Sequence, residues 1–325
     1  MQASYERINY TLRPAKAIER KMLCEAFGKL QNISDLTSYR YVGFGSAFFA
    51  DFLIIHKHLG LSDLISVEKE QEHRKRFRFN RPYRCIRLRF GDANDVLPTI
   101  GWTKKIILWL DYDYKIAESM FTDVGTFISR AQSGSILLLT MDVTPDDLPN
   151  NREKKSRYVQ LLERIGSLKM PLGIAERDLD GRNYPRACHE IINNEIDESL
   201  SRRNGGLENK LIYKQLFNFL YKDGSATMLS IGGIIYETND EDKIRRCNFE
   251  GLEFIKSKRN IFDPYRIRVP NLTFKEMRYL DKWLPSDRTR AIDGKANARF
   301  LSNDSIKDYS RIYRYFPNFV EAEMH

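Results

Sequence analysis

Four groups of residues in this chain have the types and spacing to do chemistry. Gly43, Phe44, Gly45 and Ser46 end a short β-branched and aromatic run, RYVGF, and enter the next segment. Glycines there allow a tight turn and let a ligand approach the backbone, while a helix beginning beyond them offers unpaired N–H groups. Glu68 closes a second apolar run, LISVE, 23 residues after Gly45. A carboxylate at that point can accept hydrogen bonds from both hydroxyls of a ribose. Asp92 follows Gly91 after a third run, 24 residues beyond Glu68, and Asp111 ends the apolar stretch IILWLD 19 residues later. An acid terminating such a strand can take a proton or orient an acceptor group, so Asp111 is the candidate catalytic residue. Tyr112 and Asp113 stand beside it as candidate aids.

These residues need elements to hold them, and the chain supplies an alternation of strands and helices. LRPAKAIERKMLCEAFGKL reads as a helix: Pro14 suits its first turn, and Ile18, Met22, Ala26 and Leu30 recur on one face. RYVGF, LISVE, CIRLRF, IILWLDY and SILLLTMDV read as strands; SAFFADFLIIHKHLG, KEQEHRKRFRF and MFTDVGTFISRAQ read as helices between them. Strands joined by helices of this length imply a parallel sheet with crossover connections. KQLFNFLY and TMLSIGGIIYE flank Asp223-Gly224, which is good turn chemistry for a hairpin. The expected organisation is an N-terminal helical segment over 1–35, a main domain over 36–240 and a basic extension over 241–325. Within the main domain, the polar, broken stretch 144–210 reads as a helical insertion. The fold class is α/β: a Rossmann-like, mostly parallel sheet with a terminal antiparallel hairpin. The four chemical positions then share the carboxyl ends of the parallel strands, where open α/β sheets bind ligands.

The series Gly43-Phe44-Gly45-Ser46, Glu68, Asp92, Asp111 resembles the class I S-adenosylmethionine-dependent methyltransferases over roughly 36–142. The resemblance implies a glycine loop, a ribose acid, an adenine-side acid and a catalytic-strand acid at these four places, with S-adenosylmethionine as cofactor. Two positions depart from the family: Tyr41 stands where a loop acid is expected, and Ala47 replaces the third glycine. Among acceptor types, amino-group enzymes acting on adenine carry prolines after the fourth strand, where this chain has Asp111-Tyr112-Asp113-Tyr114. Ribose 2′-O-methyltransferases use a Lys-Asp-Lys-Glu set, of which Lys16 and Asp111 match the first two. Catechol-type enzymes bind Mg²⁺ through acids after the fourth and fifth strands. Asp111 and Asp142 match these, although Val143 stands in place of an asparagine. The expectation is methyl transfer to an oxygen acceptor; the alternative is an inactive scaffold of this fold that binds nucleic acid or an acidic protein.

Charge directs attention to one place. The 325 residues hold 53 Lys+Arg against 44 Asp+Glu, a net +9, and residues 73–90 alone carry eight basic side chains and no acid. Arg74, Lys75, Arg76 and Arg78 are therefore candidates for binding a polyanion, nucleic acid or an acidic protein. The competing reading is a solvated edge strand, since Arg87 and Arg89 share one face of CIRLRF. Around the chemical positions the balance reverses, to −3 over 41–72 and −3 over 91–142. Arg13 and Lys16 are candidates for lining the cleft, and the aromatic tail, with Tyr309, Tyr313, Tyr315 and Phe316, is expected to dock on the domain in preference to stacking on bases. His56, His58 and His189 have no spacing that pairs them as metal ligands. Four scattered cysteines, no apolar leader and no run of about 18 apolar residues lead to the expectation of a cytoplasmic protein with reduced thiols and no membrane partner.

Overall fold

A computed structural model describes residues 13–147, 155–285 and 300–317. The described residues open with α1 (Pro14–Gly28), whose Ile18, Met22 and Ala26 are fully buried as the four-residue spacing predicts. There follow β1 (Arg40–Gly43), α2 (Ala50–Leu59), β2 (Asp63–Glu68), α3 (Arg74–Asn80), β3 (Ile86–Phe90) and the short α4 (Ala93–Val96). Then come β4 (Ile106–Lys115), α5 (Glu118–Arg130) and β5 (Ser135–Asp142). The insertion folds as α6 (Arg157–Ile165) and α7 (Tyr184–Asn204) before the hairpin of β6 (Leu211–Asp223) and β7 (Ala226–Glu237). The remainder holds α8 (Glu241–Arg246), β8 (Tyr265–Ile267), α9 (Phe274–Asp281) and α10 (Asn303–Ile312).

Among the described residues, eight strands form one sheet in the order β3-β2-β1-β4-β5-β7-β6-β8. β1 to β5 pair in parallel, and β7 returns antiparallel to both β5 and β6. This is the expected Rossmann-like sheet with its terminal antiparallel pair, and β3 lies at one edge. The other edge holds a strand the sequence reading placed in the extension: β8 pairs in parallel with β6, so the sheet continues across residue 240. The tail docks, as expected; Tyr309 and Tyr315 are buried, and the Tyr315 hydroxyl donates to Glu25 on α1.

Each face of the sheet has its own core. One gathers Met22 and Phe27 of α1, Phe52 of α2, Phe77 of α3, Trp109 of β4 and Phe219 of β6. The other gathers Leu108 and Tyr112 of β4, Phe127 of α5, Leu139 of β5 and Ile192 of α7. α1 packs against α2, β6 and β8, which brings the N-terminal segment onto the sheet beside the glycine loop. Among the described residues no helix is long and apolar enough to cross a membrane.

Two helices begin later than predicted. The stretch after β1 turns before it coils: Ser46 and Phe49 take left-handed backbone angles, φ 52° and 50°, and α2 starts only at Ala50. Residues in that region cannot belong to a right-handed helix. The loop thus runs four residues past Gly45. Likewise α3 starts at Arg74, after a single 3₁₀ turn over Gln71–His73. β4 runs three residues longer than read, with an irregularity between Asp111 and Lys115 where its pairing to β5 shifts. Such shifts occur at strand ends beside functional sites, where they re-aim side chains.

Candidate functional site

The carboxyl ends of β1 to β4 open on a cleft of about 670 Å³, within the roughly 300–1,000 Å³ of small-molecule sites. Phe44, Gly45 and Ser46 of the loop, Glu68, Asp92, Asp111, Tyr112 and Asp113 all line it. Gly43 sits just beneath, and a Cβ there would come within 2.9 Å of the Trp109 carbonyl oxygen. At Gly45 a Cβ would fall 2.3 Å from Ser66 Oγ and 2.7 Å from Glu68 Oε1. The glycine is therefore required because β2 tucks its last acid directly under the loop. Among the described lining residues are nine acidic and four basic side chains, so the cleft favours a cationic ligand.

Glu68 is buried at the end of β2. Ser66 Oγ donates to its Oε1 at 2.5 Å, and the amides of Gly45 and Ser46 donate as well. Burial outweighs these bonds and pushes the carboxyl up to about 8. At neutral pH it carries a proton, so it can both donate and accept. Asp92 lies at the rim, 3.0 Å from the Lys69 ammonium.

Asp111 faces α1. Lys16 Nζ donates to Asp111 Oδ1 at 2.7 Å, lies 2.8 Å from Glu19 Oε2, donates to the Tyr221 hydroxyl at 3.2 Å and sits 4.5 Å from the Trp109 ring centroid. Lys16 was expected to line the cleft with Arg13. Arg13 does, paired to Asp223, but the Lys16 side chain is 0% exposed and reaches the cleft only through Asp111. The reason is rotational: Lys16 shares the inward face of α1 with Glu19, above the Trp109 ring. A buried lysine is tolerated when carboxylates surround it, and removing one of them leaves a costly unpaired charge.

The three candidate catalytic residues all line the cleft, but their side chains point to different partners. Strand alternation sends Asp111 toward α1 and Tyr112 to the opposite face, where its hydroxyl donates to Asp123 Oδ2 of α5 at 2.6 Å. Asp113 is exposed at the cleft wall. Asp123 also accepts from Asn94 at 2.7 Å, and burial pushes it up to about 6 against those two bonds. Phe44 packs edge-on against the Tyr112 ring at 5.4 Å, so this trio forms the wall beside the loop.

Sequence reasoning missed Arg20 and Asp51. Arg20 Nε of α1 donates to Asp51 Oδ1 in the first turn of α2, and both line the cleft at the far end of the loop. They set an acid beside the loop although Tyr41 has replaced the one expected on β1. Tyr41 itself is fully buried, and its hydroxyl has no hydrogen-bond partner among the described residues. The available signal was an acid five residues past Ser46, at the start of the helix that the loop feeds.

The Mg²⁺ candidates do not fit a metal. Asp111 is held by the Lys16 ammonium, and Asp142 Oδ1 accepts from the Thr144 amide at 2.7 Å. Among the described residues no group of three or more His, Cys, Asp or Glu could hold an ion. His189 is a buried structural group, 3.0 Å from Gln215 and lowered to about 4 by burial. Arg74, Lys75, Arg76 and Arg78 lie outside the cleft on the exposed side of α3.

No curated protein matches the chain. Solved structures do. The Trm1 complex with S-adenosyl-L-methionine from Pyrococcus horikoshii is 12% identical over 77% of this chain and 64% of its own, with a TM-score of 0.45. The N-methyltransferase NodS from Bradyrhizobium japonicum is 10% identical over 68% and 97%, with a TM-score of 0.38. Cofactor-bound Rv0187 from MTB is 14% identical over 69% and 89%, with a TM-score of 0.37. A family model described as "Putative O-methyltransferase" matches residues 8–324, and the chain belongs to that family.

Proposed function

We propose that the cleft binds S-adenosylmethionine and that the protein transfers its methyl group to an oxygen acceptor seated beside Asp111. The observation that carries this reading is the glycine loop folded over Glu68, in a cleft whose acids outnumber its bases. The residues fit the cofactor part by part. Glu68 can take the ribose hydroxyls, donating to one and accepting from the other. Arg20 and Asp51 offer opposite charges to the carboxylate and ammonium of the amino-acid end. Phe44, Asp92 and Asn94 line the part of the cleft left for the base. When bound, the cofactor supplies an electrophilic methyl that leaves sulfur as the new C–O bond forms.

The chain's own contribution is position and proton removal. Asp111 Oδ1 is fixed by Lys16, which leaves Oδ2 to accept the hydroxyl proton of the acceptor. Lys16 is in turn clamped by Glu19 and Tyr221, so the carboxylate cannot swing out of line. The oxygen acceptor agrees with the family description and with a single carboxylate as the base.

The test is calorimetry of the full chain with S-adenosylhomocysteine, in the wild type and in Asp111→Asn. Saturable binding by both proteins is expected, because Asp111 serves the acceptor. A folded wild type that binds neither S-adenosylhomocysteine nor S-adenosylmethionine would remove the enzyme reading.

A further inference from the structure

The basic stretch lies outside the cleft chemistry, and the structure divides it into two parts. At the edge strand, Arg87 is engaged: it pairs with Asp63, together with Arg40 and Lys104. That part is explained as a charged, protected sheet edge whose Arg87 is held by Asp63. α3 is different. Phe77 anchors the helix, 2% exposed and packed edge-on against Phe90 at 6.2 Å, and Asn80 ties its end to the Ala47 carbonyl at 3.1 Å. The opposite side of the same helix presents Phe79, 89% exposed, one turn from Lys75 and Arg76 and next to Arg78. Residues three and four apart share a helix face, so the ring stands among cations on a fixed platform. Neither Lys75 nor Arg78 has an ion pair among the described residues.

Edge protection does not account for a bare phenylalanine, and an acidic protein surface would not need one. Phosphates beside an unpaired base need both parts, cations to follow the backbone and an aromatic face on which the base stacks. We propose that the outward face of α3 binds single-stranded nucleic acid, with a base stacked on Phe79 and the neighbouring phosphates on Lys75 and Arg78. A duplex hides its bases from such a ring, which excludes it as the preferred partner. The same helix contributes Phe77 to the cleft wall, so a bound strand lies across the helix from the cleft. Binding on α3 does not require the cleft to turn over.

Fluorescence anisotropy with a labelled, mixed-sequence single-stranded RNA of about 16 nucleotides tests this on the full chain. The wild type is expected to bind with an affinity that falls steeply with salt. Lys75→Glu with Arg78→Glu should weaken it at least about tenfold and flatten the salt dependence. Phe79→Ala should weaken it about fivefold or more and leave the salt dependence unchanged. All three side chains are exposed, and thermal melts matching the wild type confirm that each variant is folded. The proposal is overturned by no binding at low salt, by Phe79→Ala binding as tightly as wild type, or by the duplex binding as well as the single strand. Displacement of the strand by polyglutamate at matched charge would overturn it in favour of an acidic protein partner.

Discussion

The two ends of β2 carry the same functional group in opposite electrostatic states. At the amino end, Asp63 is ringed by Arg40, Lys104 and Arg87. Burial raises it, but hydrogen bonds from Arg40 and Lys104 and the charges of Arg40 and Arg87 outweigh this and hold it at about 2. At the carboxyl end, Glu68 has one hydroxyl and two amides but no cation among the described residues, and burial pushes it up to about 8. Five residues apart on one strand, one acid closes the bottom of the sheet and the other lies at the top, where the proposed ligand would sit. On that proposal, paired charge marks the structural end of this fold, and burial without a cation marks the binding end.

The most severe way to break the comparison is at Gly45. Gly45→Val forces a side chain against Ser66 and Glu68, and we expect S-adenosylhomocysteine affinity to fall at least about a hundredfold, measured by calorimetry. Asp63→Asn should leave that affinity unchanged.

The next effect is in pH. Glu68 is near 4.5 when unfolded and near 8 when folded, so between those values the native state holds one more proton than the unfolded state. The Glu68 contribution therefore falls as pH rises through that window, while His189, lowered to about 4, acts in the opposite sense up to its unfolded value of 6.5. Asp123, near 6, has the same sign but finishes titrating lower, so the slope above about pH 6.5 belongs to Glu68, about 2 kcal/mol by pH 8. Urea midpoints at several pH values should show the slope in wild type and lose it in Glu68→Gln.

Much of this was legible in the sequence, because strand alternation and strand ends are local properties. Glu68, Asp92 and Asp111 each close an apolar run, and their shared edge follows from parallel crossover connections. The pairings were not legible. Arg20 meets Asp51 across 31 residues, and Lys16 meets Tyr221 across 205, only because α1 docks on α2 and β6. Spacing could place Lys16 on a helix face but could not say that this face turns inward, onto Trp109. Nor could it show that Tyr112 serves Asp123 instead of Asp111, since that depends on where α5 comes to rest.

Smaller effects sharpen the structural end. Asp63→Asn should cost about 1–2 kcal/mol near neutral pH, because Arg40 loses its acid while keeping its bonds to the Ile100 and Gly101 carbonyls. Asp63 is depressed on folding, so its contribution is present above its unfolded value of 3.8 and is lost as pH falls toward 2. The wild type and Asp63→Asn should therefore converge in acid, a trend opposite to that at Glu68. Lys104→Ala should cost less than about 1 kcal/mol in the same urea titrations, since that ion pair is half exposed.

The central claim is that the carboxyl end of the sheet, around the loop and Glu68, is the cofactor site. A crystal structure of the full chain grown with saturating S-adenosylhomocysteine tests it most directly. The account expects nucleoside density in the cleft against Phe44–Ser46, with the ribose hydroxyls on the Glu68 carboxyl. Well-ordered density for the molecule at any other place on the protein would contradict it.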